Sequence, residues 1–239
     1  MTTPTAVEVV AAHILKQLDE QRRPLLVAIQ GPQGSGKTYL SARLREHLTS
    51  PPHNLRTALL SIDDLYFPHA QLEWLASSQP RNPLWQGRGQ PGTHDVALGV
   101  SVLAALRNSN QSVELPRFDK SLFGGEGDRL PMDGSGVVIE QPPGVDVVIL
   151  EGWCVGFFPI TQPELDKRWI GIWREERDRL GLPGDTLCNK QDVERANEVL
   201  VSYGQLWSFF DTFIQVGVVI ALTALCIHLF FGQDETFFL

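Results

Sequence analysis

Cysteine is scarce in this chain: Cys154, Cys188 and Cys226 stand far apart among 239 residues. Their odd number and spacing exclude a closed disulfide framework and a cysteine-built metal cluster, so a reducing, cytoplasmic setting is expected. Cations are in the minority as well, with 20 Lys and Arg against 28 Asp and Glu and a net charge of -8. A polyphosphate backbone is met by clustered Lys and Arg, so nucleic acid is not an expected partner. The opening residues lack a basic start, an apolar stretch and a small-residue cleavage site, and no secretory signal is expected. Internal repeats and low-complexity tracts are missing too. With 43 % hydrophobic and 20 % charged residues the balance is that of a globular domain, near the upper end of single-domain length.

What is present is alternation. Residues 25–29, 57–62, 145–150 and 213–219 are short apolar runs that predict buried strands. Val7, Val10, Ile14 and Leu18 mark one face of a helix; Leu40, Leu44 and Leu48 recur at four-residue steps; residues 96–106 read as a further helix capped by Asp95 or Thr93. Strand and helix in turn imply the α/β class, a mostly parallel central sheet with helices on both faces. Two stretches rich in Pro and Gly, residues 77–95 and 115–136, interrupt the pattern. They are expected as loops at the carboxyl edge of the sheet, where ligands bind in open α/β folds.

Residues 31–38, GPQGSGKT, fit the phosphate-loop pattern G-x-x-x-x-G-K-S/T between a predicted strand and a predicted helix, which points to a P-loop NTPase fold. Gly31, Gly34 and Gly36 let the backbone turn its N–H groups inward, with Pro32, Gln33 and Ser35 completing the cradle. Lys37 is expected to reach the β- and γ-phosphates of ATP, and the Thr38 hydroxyl to ligate Mg²⁺. VDVVILEGW places Glu151 at the tip of a central strand, either as the second metal-facing acid or as an ordinary strand-end carboxylate.

LLSIDDLYF puts Asp63 and Asp64 just past another strand. Neighbours on an extended chain point oppositely, so the two are not expected to share a task. Asp63 is assigned as the base that takes the proton of an attacking hydroxyl, and Asp64 as a substrate contact or a support behind it. Two solvated acids in a strand-end turn are the plainer alternative. The charged stretch 164–179 reads as a helix that closes as a lid and brings Arg168 or Arg174 onto the transferred phosphate; a solvated helix face accounts for the same charges.

In this order, GPQGSGKT, SIDDLY, GRGQPGTHD, LPRFDKSLFGGEGDR and ILEGWCVGF resemble the plant D-glycerate 3-kinase and its fungal ATP-dependent kinase relatives, and more widely the uridine kinase and phosphoribulokinase group. The likeness runs from about residue 24 to residue 215. It implies an enzyme that uses ATP and Mg²⁺ to phosphorylate a hydroxyl of a small, anionic acceptor, D-glycerate first among the candidates. It puts Asp63 at the position of the catalytic carboxylate and Glu151 at that of the metal-side acid. It also implies that loops carrying His94, Asp95, Arg117, Asp119, Lys120 and Arg129 border the acceptor. A hydroxy acid needs a fixed cation for its carboxylate, which a guanidinium supplies as a two-pronged donor. Plainer readings stand beside these: Arg117 or Arg129 pairs with Asp119 or Asp128 to hold its loop, and His94 caps the next helix or satisfies a loop carbonyl.

Two rival readings come from other motifs. NKQD at 189–192 and DRLG at 178–181 mimic the guanine-reading and D-x-x-G signatures of a GTPase switch, but neither follows a buried strand. VGVVIALTALCIHLFF, residues 216–231, suggests a membrane tether, yet it falls short of the roughly 20 residues a spanning helix needs and lacks a flanking basic cluster. Residues 1–215 are therefore expected to form the kinase domain, and 216–239 an atypical apolar ending where the resemblance stops, read as an altered carboxyl terminus from a misread gene boundary rather than a membrane segment. A final buried strand and helix, or a tail anchor, are the alternatives for that ending.

Overall fold

Aliphatic side chains along LLVAI leave no polar face for water, so a strand built from them has to be covered on both sides. A computed structural model describes residues 4–21, 23–182, 187–218 and 225–231, with the backbone alone for Val218 and 225–231. In chain order the elements are α1 (Ala6–Glu20), β1 (Leu25–Gln30), α2 (Lys37–Thr49), β2 (Thr57–Ser61), α3 (His69–Ser78) and α4 (Val96–Asn108). The two-residue strands β3 (Val113–Glu114), β4 (Phe118–Asp119), β5 (Asp128–Arg129) and β6 (Val138–Ile139) follow. Then come β7 (Val147–Gly152), α5 (Gln162–Ile170), α6 (Ile172–Arg179), α7 (Lys190–Trp207), β8 (Thr212–Val218) and β9 (Leu225–Phe231).

The central sheet has the order β2-β7-β1-β8-β9, parallel through β8, with β9 running antiparallel to it. Alternate side chains divide the core. Leu25, Val27 and Ile29 pack with Ile14 of α1 and Leu44 of α2, whereas Leu26 and Ala28 pack with Leu103 of α4 and Leu200 and Leu206 of α7. Helices thus cover both faces, as the alternating pattern predicts. Each buried leucine-sized side chain contributes about 1.5–3 kcal/mol, so these two layers carry the fold.

Three segments differ from expectation. β7 starts two residues late because Asp146 is occupied with chain crossing: its carbonyl accepts from the Leu25 amide and its carboxylate from the Arg56 amide. The strand then runs on through Glu151, which pairs in register with Ile29 and Ser61. The helix expected over 164–179 breaks at Gly171, whose φ of -102° and ψ of -115° leave the helical region, giving α5 and α6. The apolar run 216–231 is shared between β8 and β9, paired from Thr212↔Phe231 to Val218↔Leu225, so β8 crosses the 215/216 division. No helix among the described residues is long and apolar enough to cross a membrane. Residues 219–224 and 232–239 lie outside the described residues.

Because β1, β2 and β7 are parallel, their carboxyl ends open on one edge. The phosphate loop leaves β1 there, a 3-10 turn, Ile62–Leu65, leaves β2, and Glu151 is the penultimate residue of β7. The two Pro- and Gly-rich stretches are stitched over the same edge: the Phe67 amide donates to the Thr93 carbonyl, Asp95 to that of Leu65, and Phe118 to the Asp64 carboxylate.

Candidate active site

The phosphate loop is held open by its glycines. Gly36, at φ 82°, is the N-cap of α2, and because it has no side chain no acceptor closes the helix end. The first-turn N–H groups and the positive end of the helix dipole are left to an anion. Lys37, only 7 % exposed, has its ammonium 3.5 Å from Gln33 Oε1, and Ser35 Oγ is buried with no hydrogen-bond partner. Gly31 is required by space: a Cβ would meet Ser35 Oγ and the Val216 carbonyl at 2.7 Å. Backbone donors, a buried cation and an unpaired hydroxyl suit a nucleotide's phosphates.

Next to the loop, the Thr38 hydroxyl donates to Glu151 Oε1 at 3.0 Å, joining the two expected metal ligands across 113 residues of sequence. Glu151 is 3 % exposed and its Oε2 is buried without a partner. Burial pushes its carboxyl above the usual range, against the pull of the Thr38 and Ser61 hydroxyls and the Lys37 charge. An unpaired carboxylate oxygen beside a hydroxyl is a hard-oxygen donor set that fits Mg²⁺.

Asp63 lies on the 3-10 turn after β2, near enough for its charge to bear on Glu151, Tyr66 and Cys154. Both of its oxygens are engaged. The Tyr66 hydroxyl donates to Oδ1 at 3.0 Å, and the Lys120 ammonium to Oδ2 at 2.5 Å. Asp64 is turned elsewhere, a third of a turn on along the 3-10 turn: Oδ1 accepts from Phe118 N at 3.1 Å and Oδ2 from Ser61 N at 3.3 Å. Desolvation raises its carboxyl, and those two amides partly offset the shift. Asp64 therefore ties β2 to the loop of β4.

The remaining loop residues fall into two groups. Asp95 caps α4 by accepting from Leu98 N and also binds Arg129 Nη1 at 2.8 Å, with both side chains mostly buried. Arg129 is thus partnered by Asp95 rather than by Asp128, which accepts instead from the His69 and Arg129 amides. Arg117 donates to Ser135 Oγ at 3.2 Å, and Asp119 is bound by Ser121. His94 neither caps the helix nor meets a carbonyl. It is 2 % exposed, stacked on Tyr66, with Nδ1 2.7 Å from the Tyr203 hydroxyl and Nε2 buried without a partner. Burial pushes its imidazole down to about 4.

Tyr66 and Tyr203 are the site's unforeseen members. Tyr66 was legible in principle: three residues beyond Asp63 on a 3-10 turn is one full turn, which puts both on one side. Tyr203 reaches back 111 residues to accept from Gly92 N, and no local signal announces it. The two lid candidates lie along their own helices, Arg168 bonded to Glu164 at 2.7 Å and Arg174 facing Asp178 at 3.9 Å. The GTPase mimic has another task. Asn189 and Asp192 form a reciprocal capping box at the start of α7, and residues 178–181 close α6.

No family model matches the sequence. It is nevertheless similar to known proteins over most of its length. The uncharacterized kinase mug58 of Schizosaccharomyces pombe is 41% identical over 69% of this chain and 60% of its own length. The probable ATP-dependent kinase TDA10 of Saccharomyces cerevisiae is 43% identical over 58% of this chain and 48% of its own. The solved structure of D-glycerate 3-kinase from Cryptococcus neoformans matches with a TM-score of 0.74 and 34% identity, over 89% of this chain and 73% of that one. The chain thus spans 60% and 48% of the two curated relatives.

Proposed function

This chain belongs to the family of D-glycerate 3-kinase and its ATP-dependent kinase relatives, and from that premise we propose that it transfers the γ-phosphate of Mg-ATP to a hydroxyl of a small hydroxy acid, D-glycerate foremost. The observation that most supports the reading is Asp63 lying near Glu151, which bonds Thr38 and feels the Lys37 charge, on one sheet edge. A phosphate cradle alone would serve a switch or a hydrolase equally well; a carboxylate near it is what alcohol chemistry requires.

In this scheme Gly36 and the first turn of α2 bind the phosphate chain, and Lys37 offsets charge that grows on the transferred group. Thr38 and Glu151 would hold Mg²⁺, which would supply positive charge to offset that of the phosphates. Asp63 takes the proton of the acceptor hydroxyl as its oxygen bonds to the γ-phosphorus and the bond to the bridging oxygen breaks, releasing ADP. Arg117 and Arg129 border the acceptor, with Arg129 held in place by Asp95. Helices α5 and α6 close over the edge to exclude water. The buried, reduced thiol of Cys154 suits a cytoplasmic setting.

The test is ADP release by the purified chain with Mg-ATP over a panel of hydroxy acids, sugars, nucleosides and glycerol. The expected result is turnover that depends on D-glycerate and falls at least about hundredfold in Asp63→Asn. ADP release at one rate with and without every acceptor would contradict it.

A further inference from the structure

Asp63 is held at both oxygens, but by groups of unequal tenacity. Tyr66 is 3 % exposed, with its ring stacked on His94 at 4.5 Å and its edge against Phe118 at 5.2 Å, so its bond to Oδ1 is part of the packed interior. Lys120 is its opposite. Its side chain is 55% exposed, it follows β4 at the start of an open loop, and its ammonium rides on a flexible four-carbon stem. Exposed ion pairs of this kind are weak and exchange readily with other carboxylates.

We propose that Lys120 is a latch on Asp63 that the acceptor itself opens: the acceptor's carboxylate takes over the Lys120 ammonium, and Asp63 Oδ2 is freed to receive the acceptor's hydroxyl proton. The inference rests on the kinase reading above and adds to it how one class of acceptor is chosen. The exchange moves no proton: one carboxylate replaces another beside the same ammonium, and Asp63 is left ionised and unpaired at Oδ2, ready to accept a proton. Only then does the hydroxyl proton pass to Oδ2, while the oxygen bonds to phosphorus and ADP leaves. Water and neutral alcohols carry no carboxylate, so they meet an Asp63 whose two oxygens are already bonded. Selection for a hydroxy acid and suppression of ATP hydrolysis are thereby one device.

The experiment compares the parent chain with Lys120→Met and Lys120→Arg, reading ADP release with D-glycerate, with glycerol and with no acceptor. Lys120→Met is expected to raise acceptor-free hydrolysis about threefold or more and to cut the kcat/KM preference for D-glycerate over glycerol about tenfold or more, mainly through KM. Lys120→Arg, keeping the cation, restores part of the preference. A Met variant whose hydrolysis stays at or below the parent's overturns the latch, whether or not the preference changes. A parent that turns over no hydroxy acid overturns the kinase reading and the latch together, a result distinct from an active parent with an indifferent Lys120.

Discussion

Asp63 and Glu151 lie on neighbouring segments at one sheet edge, yet their surroundings set them to different work. Glu151 is sealed in with Thr38 and keeps one oxygen unpaired, whereas Asp63 carries a phenol on one oxygen and a mobile ammonium on the other. Glu151→Gln should therefore raise the Mg²⁺ concentration needed for half-maximal activity about tenfold while leaving thermal stability near the parent's, since an amide fills the same space without the charge. A magnesium titration checks it. Tyr66→Phe should lower kcat a few-fold with acceptor KM unchanged, the cost of about 1 kcal/mol for one hydrogen bond to the base. Steady-state kinetics with D-glycerate decides that. Lys37, Thr38, Asp63 and Glu151 were legible because each sits at a fixed offset from a buried strand. The Asp95–Arg129 and His94–Tyr203 contacts were not, being made across 34 and 109 residues by loops whose path no local pattern encodes.

The elements that carry the site are locked to one another by close contacts. Gly152, the last residue of β7, faces the turn that bears Asp63: a Cβ there would lie 2.3 Å from the γ2 methyl of Ile62 and 2.9 Å from its Cβ. Ile62 is fully buried and cannot yield. Gly152→Ala is expected to cost about 1–3 kcal/mol in stability and to displace the turn, lowering kcat more than nucleotide affinity. Denaturant unfolding with nucleotide titration would check both, and weakened nucleotide binding at full kcat would contradict the lock. At this scale the sequence spoke through period. Apolar runs and four-residue steps located the central strands and α1, α2 and α4, because packing on both faces leaves no polar position. The two-residue strands β3 to β6 have no period to show, and the break between α5 and α6 hangs on one glycine in an otherwise helical composition.

For the whole molecule, the buried imidazole of His94 makes stability depend on pH. Its folded value of about 4 lies below the ordinary 6.5, so between these the unfolded chain takes up a proton that the folded one declines. Stability present in full above pH 6.5 is lost as the pH falls toward 4, by about 3 kcal/mol at 1.36 kcal/mol per unit. His13, pushed down by burial, adds in the same sense; the raised carboxyls of Asp64 and Glu151 act oppositely. Denaturant midpoints across that window should fall steeply in the parent and less in His94→Gln, and equal slopes would exclude His94 as the cause.

Under the proposed function, this site hands a phosphoryl group to an alcohol and denies it to water. Phosphorus NMR of the chain with Mg-ATP and D-glycerate measures that division directly. Most of the γ-phosphate is expected as an ester of the acceptor, and Asp63→Asn is expected to lose the ester signal. Inorganic phosphate as the main product of the parent, or an undiminished ester signal in Asp63→Asn, would contradict it.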